Sequence, residues 1–174
     1  MAAECELADL YLAERLPAWR VRQAVCDSAP DGVRVAGLHD VWLGAPALAA
    51  SVVAAEYRIA LAGDAACDAA AIRAAATTLL AATTLERRRQ RGSDSVVYDL
   101  RPLLDAIDVR DTQPTELLVR TRFNQERGAG RPEEVVAALA DSLATPLSAA
   151  SIVRQRILLA DDLAASATFD ARLA

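Results

Sequence analysis

The sequence contains no lysine, and histidine, cysteine and methionine are scarce. All 19 basic residues are arginine, and the 174 residues include one His, three Cys and one Met. Without lysine the chain has neither a Schiff-base lysine nor the phosphate-binding lysine of a P-loop. One histidine and three separated cysteines also leave most metal sites and catalytic triads without enough ligands or bases. The composition therefore excludes several enzyme classes and does not indicate a reaction.

Aromatic residues and net positive charge are also lacking. Aromatics make up 4% of the chain, and 24 acidic residues outnumber the 19 arginines, which gives a formal net charge of −5. Proteins that bind nucleic acid through their overall charge are basic, so this balance argues against a generally basic nucleic-acid binder. Any anion recognition by this chain would have to use guanidinium groups.

The cysteines and the apolar runs indicate a cytoplasmic protein. Cys5, Cys26 and Cys67 are odd in number and form no C-x-x-C pair, so we expect reduced thiols and no zinc site. The longest uncharged stretch has 15 residues, whereas a membrane span needs about 20. Glu4 and Glu6 stand where a signal peptide would be basic. We therefore expect no membrane association and no secretion.

The periodicity of the first part of the chain predicts an incomplete α+β unit. Apolar spacing predicts a strand over Glu6–Ala13 and a helix over Trp19–Ser28. A Pro-Asp-Gly turn at residues 30–32 separates this helix from a second predicted strand, Val33–Leu43. Strand, helix, strand is half of a ferredoxin-like split βαβ pattern, so residues 1–46 are predicted to form a partial unit.

Residues 47–160 are predicted to form a complete ferredoxin-like unit with an inserted hairpin arm, and residues 161–174 a tail. The predicted elements are a strand Tyr57–Leu61, a helix capped by Asp64 that ends near Ala82, a strand Leu85–Arg91, its hairpin partner Val96–Tyr98, a short helix Arg101–Ile107, a strand Leu117–Phe123, a helix from Pro132 and a strand Ile152–Leu159. This order predicts an α+β fold with an antiparallel sheet, two helices on one sheet face and the other face open.

Three motifs carry a resemblance to a known family. They are Ala55-Glu56-Tyr57, Asp99-Leu100-Arg101-Pro102 and Arg131-Pro132-Glu133-Glu134-Val135. In their order and spacing, from about Glu4 to Leu159, the chain resembles the C-terminal part of the radical-SAM-associated (radical-SAM-linked) family of uncharacterised proteins. Members of that family are typically encoded beside a B12-binding radical SAM protein or fused to it. The resemblance implies a radical SAM protein as the partner, and its motif residues here are Asp99, Arg101, Pro102, Arg131, Pro132, Glu133 and Glu134.

The chain departs from that family's pattern in two places. A Pro-Ser-Leu signature before the second unit is here Pro46-Ala47-Leu48. The family's N-terminal section, with its F-L-S-H-L-D and G-F-N-P motifs, has no counterpart in this sequence. We therefore expect a truncated or diverged member, in which the missing section would supply the other half of the first unit.

The chain itself is predicted to be non-catalytic, without cofactor or metal. The iron–sulfur cluster of a radical SAM enzyme needs three closely spaced thiolates, whereas these cysteines are 21 and 41 residues apart. His39 could activate Cys26 as a nucleophile, but no local signature surrounds Cys26, and a lone histidine is more often exposed or hydrogen-bonded. The loop before Pro132 could bind an anion at a helix start, although Glu133 and Glu134 already satisfy the helix dipole there.

The arginines form the main candidate binding surface. Strand side chains alternate between faces, so arginines two residues apart on one strand share a face. Together with Arg58, this places up to eight arginines on the open face of the predicted sheet. The candidate binding residues are Arg87, Arg89, Arg91, Arg120, Arg122, Arg154 and Arg156.

Three interpretations of this arginine surface stay open. It is a solvated surface whose charge is offset by carboxylates such as Glu86 and Glu116; it docks against a protein, such as the radical SAM partner; or it contacts RNA. Because the aromatic pattern of RNA-binding sheets is missing, an RNA contact would be to phosphates and sensitive to salt. We expect a protein-binding accessory domain, with an RNA-binding module as the alternative.

Overall fold

The chain divides into two compact units. The structure, a computed structural model, describes residues 2–62, 68–91, 94–124, 126–160 and 162, and of residues 89–91 and 94 only the backbone. One unit, called the sheet unit below, combines Met1–Leu7 with Ser51–Ala174; the other is Ala8–Ala50. Among the described helices, none is long and apolar enough to cross a membrane.

Four α-helices and eight strands are described. In chain order they are β1 (Ala2–Ala3), α1 (Ala18–Ser28), α2 (Leu48–Ser51), β2 (Val52–Leu61), α3 (Ala69–Ala81), β3 (Glu86–Arg91), β4 (Asp94–Asp99), β5 (Leu104–Arg110), β6 (Glu116–Asn124), β7 (Gly128–Ala129), α4 (Pro132–Leu143) and β8 (Ala149–Leu159). A single 3-10 turn, Arg101–Leu103, precedes β5. The predicted tail lies outside the described residues except at Asp162.

The main sheet has the strand order β8-β2-β6-β5, and each neighbouring pair in it is antiparallel. The short β1 joins the outer edge of β8 in parallel, and β7 pairs with the end of β6. Helix α3 lies in the chain between β2 and β5, and helix α4 between β6 and β8. This interleaved order is the split βαβ arrangement. The predicted α+β fold with a mostly antiparallel sheet is therefore confirmed.

Helices α3 and α4 pack against one face of this sheet because each carries an apolar stripe. Asp68 caps α3, and its Oδ1 accepts a hydrogen bond from the Ala71 amide at 2.6 Å. Helix α4 begins with Pro132, whose fixed φ suits a first helical turn. The predicted cap, Asp64, lies outside the described residues. The buried core side chains of the helices and the central strands include Ile72, Leu79, Val135, Leu139, Tyr57, Ile59, Leu61, Leu117 and Val119.

The edge strand of the sheet is not the predicted one. The segment predicted as a sheet strand, Leu85–Arg91, pairs only with β4 and forms a separate two-stranded hairpin. The edge position is taken by β5, and the helix predicted over Arg101–Ile107 is reduced to the 3-10 turn. Strand β3 reads Glu-Arg-Arg-Arg-Gln-Arg and offers no apolar side chain to the helices, whereas β5 provides Ile107 and Val109 to the core.

In the Ala8–Ala50 unit the helix is as predicted and the strands are not. Helix α1 covers Ala18–Ser28, one residue more than expected. No strand is present at Glu6–Ala13 or Val33–Leu43. A strand forms only when a neighbouring strand completes its hydrogen bonds, and no segment of this unit supplies that neighbour. Val21 is the one buried apolar residue of the unit.

Candidate interaction surfaces

The sheet face opposite α3 and α4 carries rows of charged side chains. Register places Glu56 of β2 directly opposite Arg120 of β6 on one side and Arg156 of β8 on the other. Side chains that face each other in an antiparallel pair lie on the same sheet face. Arg58 and Arg122 follow at positions two residues away on their strands, so the predicted alternation does bring these arginines to one face.

The centre of this face is an ion-paired cluster around Arg120. The Arg120 guanidinium donates to Glu56 Oε1 from Nη2 at 2.7 Å and from Nε at 3.1 Å. Its Nη1 lies 3.7 Å from Asp105 Oδ2, and Arg122 Nε donates to Asp105 Oδ1 at 2.8 Å. The side chain of Arg120 is 8% exposed, whereas that of Arg122 is 55% exposed. The most central arginine is thus held by carboxylates and largely out of solvent.

The outer arginines of the face have carboxylate partners as well. Arg58 Nη2 lies 2.8 Å from Glu4 and its Nη1 lies 3.8 Å from Glu116. Arg156 Nη2 lies 3.4 Å from Asp162. The acidic N-terminal residues that argued against a signal peptide are therefore ion-pair partners of the sheet.

Arg154 lies on the opposite side of the sheet from Arg156. Register pairs Arg156 with Glu56 and Arg154 with the core residue Tyr57, so Gln155 is the extra residue of a bulge that interrupts the alternation. Arg154 forms an ion pair with Glu6. The hydrogen bond that Arg154 donates to this carboxylate raises the pKa of Arg154 above its ordinary value, although partial burial opposes the shift.

The charge of the face is balanced by these pairs. Four arginines, namely Arg58, Arg120, Arg122 and Arg156, contact five carboxylates, namely Glu4, Glu56, Asp105, Glu116 and Asp162. A phosphate would have to compete with these carboxylates for each guanidinium. This charge balance could have been predicted from the acidic residues on the neighbouring strands, which include Glu56 of the first motif.

Arg87 lies on the separate hairpin and contacts helix α4. Its Nε donates to Glu134 Oε2 at 3.3 Å, and its Nη1 forms an ion pair with Asp141. Burial lowers the pKa of Arg87, but the hydrogen bonds that it donates to the carboxylates of Asp141 and Glu134 outweigh this and raise the pKa above its ordinary value. The backbones of Arg89 and Arg91 belong to β3, so the hairpin separates all three of these arginines from the main sheet.

The motif Asp99 to Pro102 closes the base of the hairpin. Asp99 Oδ1 accepts hydrogen bonds from the Leu85 amide at 2.7 Å and from the Arg101 amide at 3.0 Å. The Arg101 guanidinium donates to the carbonyls of Leu104 and Leu80, each at 2.7 Å. Pro102 is the second residue of the 3-10 turn. These contacts join α3, the hairpin and β5, which gives the motif a structural role.

The motif Arg131 to Glu134 forms the start of helix α4. Arg131 stands at the N-cap position, Pro132 is buried, and Glu133 and Glu134 occupy the first turn, where their charges are favourable to the helix dipole. Glu133 is exposed, whereas Glu134 receives Arg87.

A second candidate surface is an apolar groove in the Ala8–Ala50 unit. It has a volume of about 560 Å³ and is lined on one side by helix α1. Arg20 is its one charged lining residue, and its apolar lining includes Leu10, Leu12, Leu16, Val21, Val25 and Val33. The sequence predicted this segment as half of a folded unit and did not predict that its apolar side chains would be exposed.

His39 and Cys26, which the sequence did not favour as a base and a nucleophile, do not form a pair. Both residues are exposed, and no hydrogen bond joins them in the described structure of their unit. Across the described ranges, no group of three or more His, Cys, Asp or Glu residues could hold a metal ion.

Comparison with known proteins identifies one family. The model of a family described as uncharacterized proteins conserved in bacteria, DUF2344, matches residues 1–151. No curated protein and no solved structure matches the chain.

Proposed function

The chain belongs to this bacterial family, DUF2344, and from that premise we propose that it is a non-catalytic accessory domain that binds a protein partner. The proposed partner is a B12-binding radical SAM enzyme. Its support is the order and spacing of the Ala-Glu-Tyr, Asp-Leu-Arg-Pro and Arg-Pro-Glu-Glu-Val motifs, which resemble those of the radical-SAM-associated family. The surface that would bind the partner is argued next.

The observation that carries the proposal is the apolar surface of the Ala8–Ala50 unit. Tyr11 is 81% exposed, Trp42 80% and Leu43 99%, while Val21 alone is buried. Units of about 40 residues bury too little surface to be stable on their own. Tyr11 lines the apolar groove. Exposed apolar surfaces are typical of protein contact sites, and Trp and Tyr are among the residues most enriched at their energetic centres.

The ion-paired sheet face is less suited to an anionic partner. Its arginines already contact carboxylates, and the most central one, Arg120, is largely buried. Neutralising phosphates releases counterions only when the guanidinium groups are free to meet them. The RNA-binding alternative therefore has no contact in its favour, and we do not propose it.

A co-elution experiment tests the proposal. The purified chain is mixed with the purified radical SAM protein encoded beside its gene, and the mixture is run on size exclusion. We expect one peak containing both proteins. The double variant Tyr11→Ser/Trp42→Ser removes two exposed aromatic side chains and is expected to abolish the shared peak.

The matched control is Val97→Ser on the hairpin, where an exposed apolar side chain is changed outside the proposed surface. This variant should co-elute like the unchanged chain. Separate elution of the unchanged proteins at 50 times the concentration needed for detection, or equal co-elution of the double variant, would count against the proposal.

A further inference from the structure

The groove in the Ala8–Ala50 unit lies between one helix and two segments with strand-like sequence. Helix α1 lines it through Val21 and Val25. Leu10 and Leu12 line it from the segment before the helix, and Val33 and Val35 from the segment after. Val33 and Val35 are two positions apart, which is the spacing of side chains on one face of a strand, whereas the first segment contributes Tyr11 as well as Leu10 and Leu12.

Most backbone groups of these two segments lack hydrogen-bond partners within the unit. In the described structure no backbone–backbone hydrogen bond involves residues 8–16 or residues 34–41, whereas the Val33 amide donates to the Pro30 carbonyl at 3.1 Å. Val35 O receives one bond, at 3.5 Å, from Arg22 Nη2. Backbone N–H and C=O groups that become buried need partners. An occupant that covers the groove must therefore supply hydrogen bonds to backbone as well as apolar contacts.

This requirement selects an extended occupant over a helical one. A helix satisfies its own backbone groups and would leave those of both segments without partners. An added strand supplies main-chain hydrogen bonds, and its alternate side chains enter the apolar groove. The two flanking segments are also those that the sequence predicts as strands and that form none in the absence of a neighbour.

The charge of the groove lining indicates which ionic group the occupant carries. Arg20 is the one charged residue that lines the groove, and among the described residues no carboxylate lies within ion-pair distance of it. A carboxylate on the occupant would meet this guanidinium, and a cation would be repelled by it.

We propose that the groove receives an extended segment of a protein partner, which adds as a strand beside residues 10–12 and 33–35. The segment alternates apolar and polar residues and carries an acidic residue for Arg20. This inference rests on the proposed function, because it names the part of the partner that the apolar surface recognises.

Synthetic peptides test this inference on the intact chain. The first probe is an eight-residue peptide that alternates valine and threonine, with a glutamate at each end. The second is the same peptide with its valine and threonine amides N-methylated, which keeps the side chains and removes the donors. Both Trp residues of the chain, Trp19 and Trp42, lie in this unit, so tryptophan fluorescence reports on it alone.

We expect saturable binding of the first peptide and at least about tenfold weaker binding of the methylated one, since main-chain bonds carry this mode of recognition. Amide hydrogen exchange should slow at residues 10–12 and 33–35. Val33→Asp, at a lining position that is 60% exposed, should weaken binding about tenfold. Val97→Asp, at an exposed position on the hairpin and outside the groove, should change it less than twofold.

Equal binding of the two peptides would overturn the inference, as would binding that Val33→Asp leaves unchanged. Tighter binding of an amphipathic helical peptide of the same charge would also overturn it. So would the finding that the chain forms a dimer and that Val33→Asp dissociates this dimer, because the groove would then bind a second copy of the chain. These outcomes are independent of co-elution with the radical SAM protein. If the two proteins co-elute but the peptide does not bind, the proposed added strand is refuted. If the peptide binds but the two proteins do not co-elute, the radical SAM enzyme is refuted as the partner.

Discussion

Glu56 of β2 lies directly opposite Arg120 of β6, and one oxygen of its carboxylate accepts hydrogen bonds from two nitrogens of that guanidinium. The pair lies at the middle of the main sheet, and Arg120 is among the few buried polar residues of the described chain. Arg120 therefore stabilises the sheet, although the sequence predicts it as a candidate residue for anion binding.

Removing the carboxylate of this pair should destabilise the sheet unit. Glu56→Ala leaves a buried guanidinium without its nearest carboxylate, which costs about 2 kcal/mol of unfolding free energy. Urea denaturation followed by circular dichroism measures the change. Glu4→Ala breaks the more exposed contact with Arg58 and should cost less than about 1 kcal/mol. Equal effects of the two substitutions would contradict a special role of Glu56.

Thr121 should tolerate an apolar replacement. Its side chain is buried on the helix side of β6, and its hydroxyl has no hydrogen-bond partner among the described residues. Thr121→Val keeps the shape and removes the unsatisfied group, so we expect about 1 kcal/mol of added stability by urea denaturation. Thr77→Val is the control, because the exposed Thr77 hydroxyl donates to the Arg73 carbonyl. A loss of stability in Thr121→Val would refute this assignment.

Gly130 should resist substitution because backbone lies against it. A Cβ at this position would stand 2.5 Å from the Leu103 carbonyl oxygen and 2.9 Å from the Thr121 Cβ. Gly130→Ala is therefore expected to cost about 2 kcal/mol, which thermal unfolding would show. In Gly37→Ala the nearest atom belongs to the exposed side chain of His39, at 3.2 Å, and a small effect is expected. A neutral Gly130→Ala would contradict the close approach.

Arg87 should fix the hairpin to helix α4. Because its guanidinium contacts Glu134 and Asp141, Arg87→Ala is expected to speed amide exchange across β3 and β4 several-fold while β2 and β6 keep their protection. Arg88→Ala, on the exposed neighbouring position of the same strand, is the control. Unchanged exchange in the hairpin would show that apolar packing alone holds it.

The sequence predicted the elements whose periodicity is strong. Strands β2, β6 and β8 and helices α3 and α4 were identified because their apolar residues recur at strand or helix spacing. The edge strand was missed because Arg101-Pro102 resembles a helix start, and only tertiary packing decides that Ile107 and Val109 join the sheet. Strands were predicted in the Ala8–Ala50 unit because apolar and polar residues alternate there. They do not form, because no neighbouring strand supplies the hydrogen bonds that a strand needs.

The candidate site was predictable only in part. Alternation correctly grouped Arg58, Arg120, Arg122 and Arg156 on one face. It failed at Gln155, because a bulge shifts Arg154 to the other face and no local signal in the sequence marks that bulge. Pairing with Glu56 and Asp105 depends on register across strands, which a single sequence does not specify.

The most direct test of the proposed partner binding uses fluorine NMR. Incorporation of 5-fluorotryptophan gives the chain two signals, from Trp19 and Trp42, and the unlabelled radical SAM protein adds none. If the Ala8–Ala50 unit is the binding surface, addition of one equivalent of that protein should shift and broaden the Trp42 signal. Two unchanged signals at a saturating concentration of the enzyme would contradict the account.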